Sequence, residues 1–157
     1  MKSSLFLFAL VLFFATSCQQ NSAENKATAT EATANAVSQK AATQVANRVD
    51  VLDFYGTHRC KTCKAIEANS RYTLDTYFAQ AMKEGKLTFN VVNIDEEKNA
   101  EIAEKFEAAG TSLFLDVFKD GNETIIELTD FAFAKGNDQA AFSQELKSRI
   151  DEQLQKL

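Results

Sequence analysis

Cys60-Lys61-Thr62-Cys63 is the part of this sequence whose residue types and spacing can do chemistry. Two cysteines three residues apart fit within one helical turn, so their sulfurs can join as a disulfide and part again with little backbone motion. At the N-terminus of a helix the first sulfur meets the positive end of the helix dipole and unpaired N–H groups, both of which favour a thiolate. Arg59, Lys61 and Lys64 add positive charge, and no acid intervenes between Asp53 and Glu67. Cys60 is therefore read as the attacking thiolate and Cys63, one turn further in, as the resolving thiol. A bridge closing so short a loop constrains the unfolded chain little and makes a poor structural staple. Lys64 follows Cys63 where a c-type haem site needs His. A competing reading uses the same thiols with His58, the single histidine, as a three-ligand set for Zn, Cu(I) or a thiophilic metalloid. The bland alternative is an inert disulfide.

The elements that must position this motif follow from the apolar pattern. Val49 to Tyr55 reads as a buried strand stopped by Gly56-Thr57, and Cys60 to about Lys83 carries apolar residues at helical spacing. Leu87–Ile94 is a second strand. Asp95 then has the chemistry of an N-cap for a helix running to about Ala109 and closed by Gly110. Leu113–Phe118 and Glu123–Leu128 read as a hairpin around Asp120-Gly121-Asn122. A loop is expected around Phe131–Gly136. Asp138 then caps a last helix, with Phe142, Leu146, Ile150 and Leu154 along one side. The order β-α-β-α-β-β-α predicts an α/β fold of three layers around a mixed central sheet, with helix-separated strands parallel and the final pair antiparallel. Asp116 interrupts the third strand with no evident role, and the acid-rich stretch Glu96–Glu107 reads as a solvated face.

The chain has 157 residues and a formal net charge of −5, enough for one domain with some chain to spare. An acidic balance argues against nucleic-acid binding, which needs a basic face toward phosphates. No glycine-rich phosphate loop occurs and no cofactor is expected. Met1-Lys2, the apolar run Leu5–Ala15 and Thr16-Ser17-Cys18 describe an export signal. Its run of about eleven residues falls short of the ~20 that span a bilayer. Phe14-Ala15-Thr16-Ser17-Cys18 resembles the lipobox of bacterial lipoproteins, in which the cysteine is lipidated after cleavage. Lipidating Cys18 would remove the odd member of three cysteines and leave one matched pair. Residues 1–18 are thus expected to be a lipoprotein signal ending at Cys18. Residues 19–47, without an aromatic, form a disordered tether, and residues 48–157 the domain. The whole is expected to be a monomer held to a bacterial membrane on the extracytoplasmic side, periplasmic or cell-surface, and served by a redox partner protein.

With a Cys-x-x-Cys opening the first helix, this element order resembles the thioredoxin-like thiol–disulfide oxidoreductases over residues 48–157. More narrowly, the segment from Phe54 to Glu67 and Gly110-Thr111-Ser112-Leu113 resemble the small bacterial thioredoxin-like proteins known as nitrophenyl compound nitroreductase subunits, found in an arsenic-related gene context. The resemblance implies a partner enzyme, and it implies that Asp53 is the buried acid that helps deprotonate Cys63. The chain departs from thioredoxins in three ways. Arg59 replaces the Trp before the first cysteine, Lys61-Thr62 replaces Gly-Pro between the cysteines, and no proline precedes the third strand.

Overall fold

A computed structural model describes residues 46–157. Strand β1 (Arg48–Tyr55) begins where the apolar alternation begins, and Asn47 just before it is already fixed. Its side chain accepts the Asp120 N–H at 2.8 Å and donates to the Asp120 carboxylate at 3.3 Å. Helix α1 (Lys61–Tyr77) follows, then a short α2 (Ala79–Lys83). The stretch read as one helix is divided at Phe78, whose backbone leaves helical values (φ −127°, ψ 13°) while its ring is buried in the core.

Strand β2 (Leu87–Asn93) pairs parallel with β1 from Val49↔Leu87 to Tyr55↔Asn93. A 3-10 turn (Glu97–Asn99) and α3 (Ala100–Lys105) lead to β3 (Ser112–Lys119). Here the expectation that helix-separated strands run parallel fails, because β3 is antiparallel to β1, with Phe54 opposite Ser112 and Arg48 opposite Phe118. The helical part of the connection is short: the turn and α3 together rise only about 15 Å, against roughly 26 Å for a strand of eight residues. No long crossover helix packs back along the sheet, and β3 starts at the end where β2 finished.

Strand β4 (Asn122–Glu127) closes the sheet through a two-residue turn in which Asp120 and Gly121 both have positive φ (52° and 79°), the hairpin geometry that Asp-Gly favours. The sheet order is β2-β1-β3-β4. The segment expected as a loop around Phe131–Gly136 is instead mostly helix α4 (Thr129–Lys135). Two turns are too short for a 3.6-residue stripe to show, and no side chain caps it. It is held by burial of Ala132 and by the Phe131 ring, 5.0 Å from that of Phe142 on α5 (Gln139–Leu154). Asp138 caps α5 as its sequence indicates, accepting the Ala141 N–H at 3.0 Å.

The alternation of β1 and β3 divides the core between the two sheet faces. Val49, Val51, Leu113, Leu115 and Val117 pack with Ile66, Leu74, Phe142, Leu146 and Ile150 from α1 and α5. Leu52, Phe54 and Phe114 pack on the other face with Phe106 and Ile102 at α3, where the rings of Phe54, Phe106 and Phe114 lie 5.3–5.7 Å apart. Two helical layers thus enclose a mixed sheet. Among the described residues no helix is long and apolar enough to cross a membrane.

Candidate active site

Cys60 is the N-cap of α1. Its backbone is extended (φ −70°, ψ 168°), its carbonyl accepts the Lys64 N–H at 3.2 Å, and its sulfur accepts the Cys63 N–H at 3.0 Å. A sulfur thus does what a Ser or Asp oxygen does at most helix starts. The first turn contains no acid. Cys60 and Cys63 are joined as a disulfide with their Cα atoms 5.0 Å apart. Cys60 is exposed and Cys63 buried, so an incoming sulfur can reach the first and not the second. The same N–H and helix end that cap the Cys60 sulfur would stabilise a thiolate there after reduction.

The loop before Cys60 and the first turns of α1 after it are each held from elsewhere in the fold. The Thr57 N–H donates to the Asp95 carboxylate at 2.6 Å, which holds Asp95 below the usual carboxylate range. Asp95 was expected to cap the helix after β2. It instead ties the end of β2 to the loop carrying the cysteines, and the 3-10 turn starts after Glu96 with no side-chain cap. Behind the motif, Gly136 packs so tightly on the first turns of α1 that a Cβ there would lie 2.9 Å from Thr62 Cγ2 and 2.7 Å from the Ala132 carbonyl oxygen. Asn69 donates to the Gly136 carbonyl at 2.9 Å, and Asn137 donates to the Thr62 hydroxyl at 3.0 Å. Sequence reading missed this support, because neither Gly136 nor Asn137 belongs to any motif near the cysteines.

Arg59 departs most from its expected place. Read as one of three cations raising the field at Cys60, it is largely buried, and its charge is already engaged. Its guanidinium lies over the Tyr55 ring (4.4 Å to the centroid), bonds the Glu67 carboxylate, donates to the Cys63 carbonyl at 3.1 Å, and sits 3.8 Å from Asp53 Oδ2. Arg71 holds Glu67 from the other side at 3.0 Å. The Arg59 and Arg71 hydrogen bonds keep the Glu67 carboxyl below its ordinary range. Asp53 is fully buried, and among the described residues neither of its carboxylate oxygens has a hydrogen-bond donor. Burial pushes its pKa up to about 7, against the lowering effect of Arg59.

His58 is exposed, and no three His, Cys, Asp or Glu side chains among the described residues converge to hold a metal ion. Cys18 lies outside the described residues.

No protein-family model matches the sequence, and no curated protein matches it closely enough to count as a relative. Solved structures do. Mitochondrial thioredoxin 3 of Saccharomyces cerevisiae, in its oxidised form, is 23% identical over 68% of this chain and 79% of its own, with a TM-score of 0.41. A thioredoxin of Thermus thermophilus is 18% identical over 64% of this chain and 72% of its own, with a TM-score of 0.43. A malarial protein is 21% identical over 63% of this chain and 97% of its own, with a TM-score of 0.39. The fold is thioredoxin-like. The strand order and directions described above, with a Cys-x-x-Cys at the start of the helix after β1, are what make it so.

Proposed function

We propose that this protein is a thiol–disulfide oxidoreductase working through Cys60 and Cys63. The observation that carries the reading is the asymmetry of the disulfide: an exposed sulfur at a helix N-cap bonded to a buried one. In the reducing half-cycle an incoming thiolate attacks Cys60 Sγ. A bond forms to that sulfur, the Cys60–Cys63 bond breaks, and Cys63 leaves with the electron pair. A second thiolate of the same donor then attacks the donor sulfur of the mixed disulfide and releases the Cys60 thiolate. The donor dithiol is oxidised by two electrons and the protein disulfide reduced by two. Run in reverse, the cycle oxidises a dithiol partner. A Cys60 thiolate favoured by its position stabilises the reduced form and makes the disulfide more oxidising.

The domain is placed outside the cytoplasm on a lipid at Cys18, with residues 19–47 as its tether. The export-type N-terminus and the even cysteine count left by lipidation support this. The other half of the couple is a partner protein, and the narrower sequence resemblance favours an electron-carrying role beside a reductase.

A redox-buffer titration of the full chain carrying Cys18→Ser tests the reading, with thiols counted by mass. Reversible two-electron exchange between Cys60 and Cys63, at a potential above thioredoxin's ~−270 mV and unaffected by Zn²⁺ or arsenite, is the expected result. Cys60→Ser abolishes exchange, while Cys63→Ser stops it at the mixed disulfide. Thiols that resist oxidation yet are protected stoichiometrically by metal would overturn it in favour of a metal(loid) carrier.

A further inference from the structure

The sulfur that departs in the reducing half-cycle is the buried one, so negative charge must form at Cys63 where water has little access. A second buried acid is linked to Cys63 through a shared cation. Asp53, at the carboxyl end of β1, is wholly buried and has no hydrogen-bond donor on either oxygen. Two buried anions in one locality oppose each other's ionisation. One cation reaches both residues. The Arg59 Nη2 that stands 3.8 Å from Asp53 Oδ2 also donates to the Cys63 carbonyl at 3.1 Å, and the Arg59 side chain is only 14% exposed. Tyr55 under its face and Glu67 at its other end fix its orientation. Its Nε has no partner, so the guanidinium is held by its two terminal nitrogens and by the ring.

We propose that Arg59 is a positioning residue for the dithiol chemistry: the shared counterion that ties buried Asp53 to the main chain of Cys63 and lets the Cys63 sulfur carry charge as the disulfide opens. This inference rests on the function proposed above. Glu67 sets how strongly Arg59 can act, because it draws the guanidinium toward itself and away from Asp53 and adds its own negative field at Asp53. Removing Arg59 and neutralising Glu67 therefore have opposite consequences at Asp53, which a general loosening of the site would not produce.

The experiment follows the Asp53 carboxyl by carbon NMR against pH in the oxidised full chain carrying Cys18→Ser, alongside its dithiol–disulfide equilibrium in redox buffer. Arg59→Met should move the Asp53 titration upward from about 7 and shift the equilibrium toward the disulfide by about tenfold, ~30 mV. Arg59→Lys, which keeps the charge and loses the fork, should fall between wild type and Arg59→Met. Glu67→Gln should move the Asp53 titration downward. Should Arg59→Met not fold, the Glu67→Gln direction decides alone. Asp53 titrating alike in Arg59→Met and wild type would overturn the proposal. So would a Lys variant as displaced as the Met variant, or a Glu67→Gln shift in the upward direction. If wild type shows no reversible exchange, the proposed function fails, while the Asp53 titrations still report whether Arg59 is its counterion.

Discussion

Strand β1 buries two aspartates, three residues apart, that are treated in opposite ways. Asp50 faces the α3 side of the sheet and is fully engaged. Arg48 donates to both its oxygens at 3.0 and 2.9 Å, and the Thr88 hydroxyl donates at 2.7 Å from β2. Asp53 faces the α1 side at the disulfide end and has only a guanidinium at 3.8 Å that serves three other groups. Burying a carboxylate without donors is costly, and structures tolerate it where the group has work to do. The contrast teaches that the fold had means to satisfy an acid on this strand and withheld them at the end where the cysteines lie.

The sharpest way to break the comparison is to remove the unsatisfied charge. Asp53 is shifted upward on folding, so the native state holds its proton more tightly than the unfolded chain. The stability this gives is complete below pH ~4 and is lost as pH rises toward 7. Asp53→Asn should abolish that slope and leave the variant more stable than wild type at pH 8, by up to roughly 4 kcal/mol. Urea unfolding across pH measures it. Parallel curves for the two proteins would mean that Asp53 finds a partner in solution.

Removing the satisfied acid should act in the other direction. Asp50→Ala strips the partner from Arg48 and Thr88 at a position only 9% exposed. A loss of about 1–3 kcal/mol is expected at neutral pH, with the redox equilibrium unchanged. A changed equilibrium would show that the two sheet faces are coupled and do not act separately.

What could be read in the sequence divides along similar lines. The cysteine pair, the strand limits near Arg48, Leu87 and Ser112, the Asp120-Gly121 turn and the Asp138 cap are all carried by residues within one or two turns of each other, where periodicity and capping chemistry are informative. The Arg59 arrangement was not legible. Its position beside Cys60 suggested a cation for that sulfur, but its direction is set by Asp53 and Glu67, one reached through the end of β1 and the other a turn and a half into α1. Asp95 illustrates the same limit. Its local chemistry is that of a helix cap, yet a backbone N–H some forty residues earlier claims it. The direction of β3 was hidden because α3 is much shorter than the acid-rich stretch suggested. Long-range partners decide these features, and a single sequence does not name them.

Asp116 gives the smallest effect and the finest test. It lies opposite Asp50 on β3, on the α3 face, and borders an open groove of about 640 Å³ with Arg48, Lys105 and Phe118. Burial pushes its pKa up to about 6, which by itself lowers stability as pH rises from about 4 through 6. Its Oδ1, like both oxygens of Asp53, has no hydrogen-bond partner among the described residues, but Asp116 borders an open groove and two charged side chains flank it. Lys105 stands 3.6 Å away and also bonds Glu123, whose carboxyl is held below its ordinary range chiefly by that lysine. Glu123 therefore adds stability with the opposite sign, but in a window below its ordinary carboxylate range, whereas the Asp116 slope runs up to about 6. Asp116→Asn should stabilise the protein at pH 7 by less than Asp53→Asn does, because the upward shift is smaller and the carboxylate borders an open groove beside Lys105. Glu123 also helps raise Asp116, so Glu123→Gln should move the Asp116 titration downward and flatten its falling slope between pH 4 and 6. If Asp116→Asn instead stabilised the protein as much as Asp53→Asn, Lys105 and the open groove would count for nothing, and enclosure could not be what sets Asp53 apart.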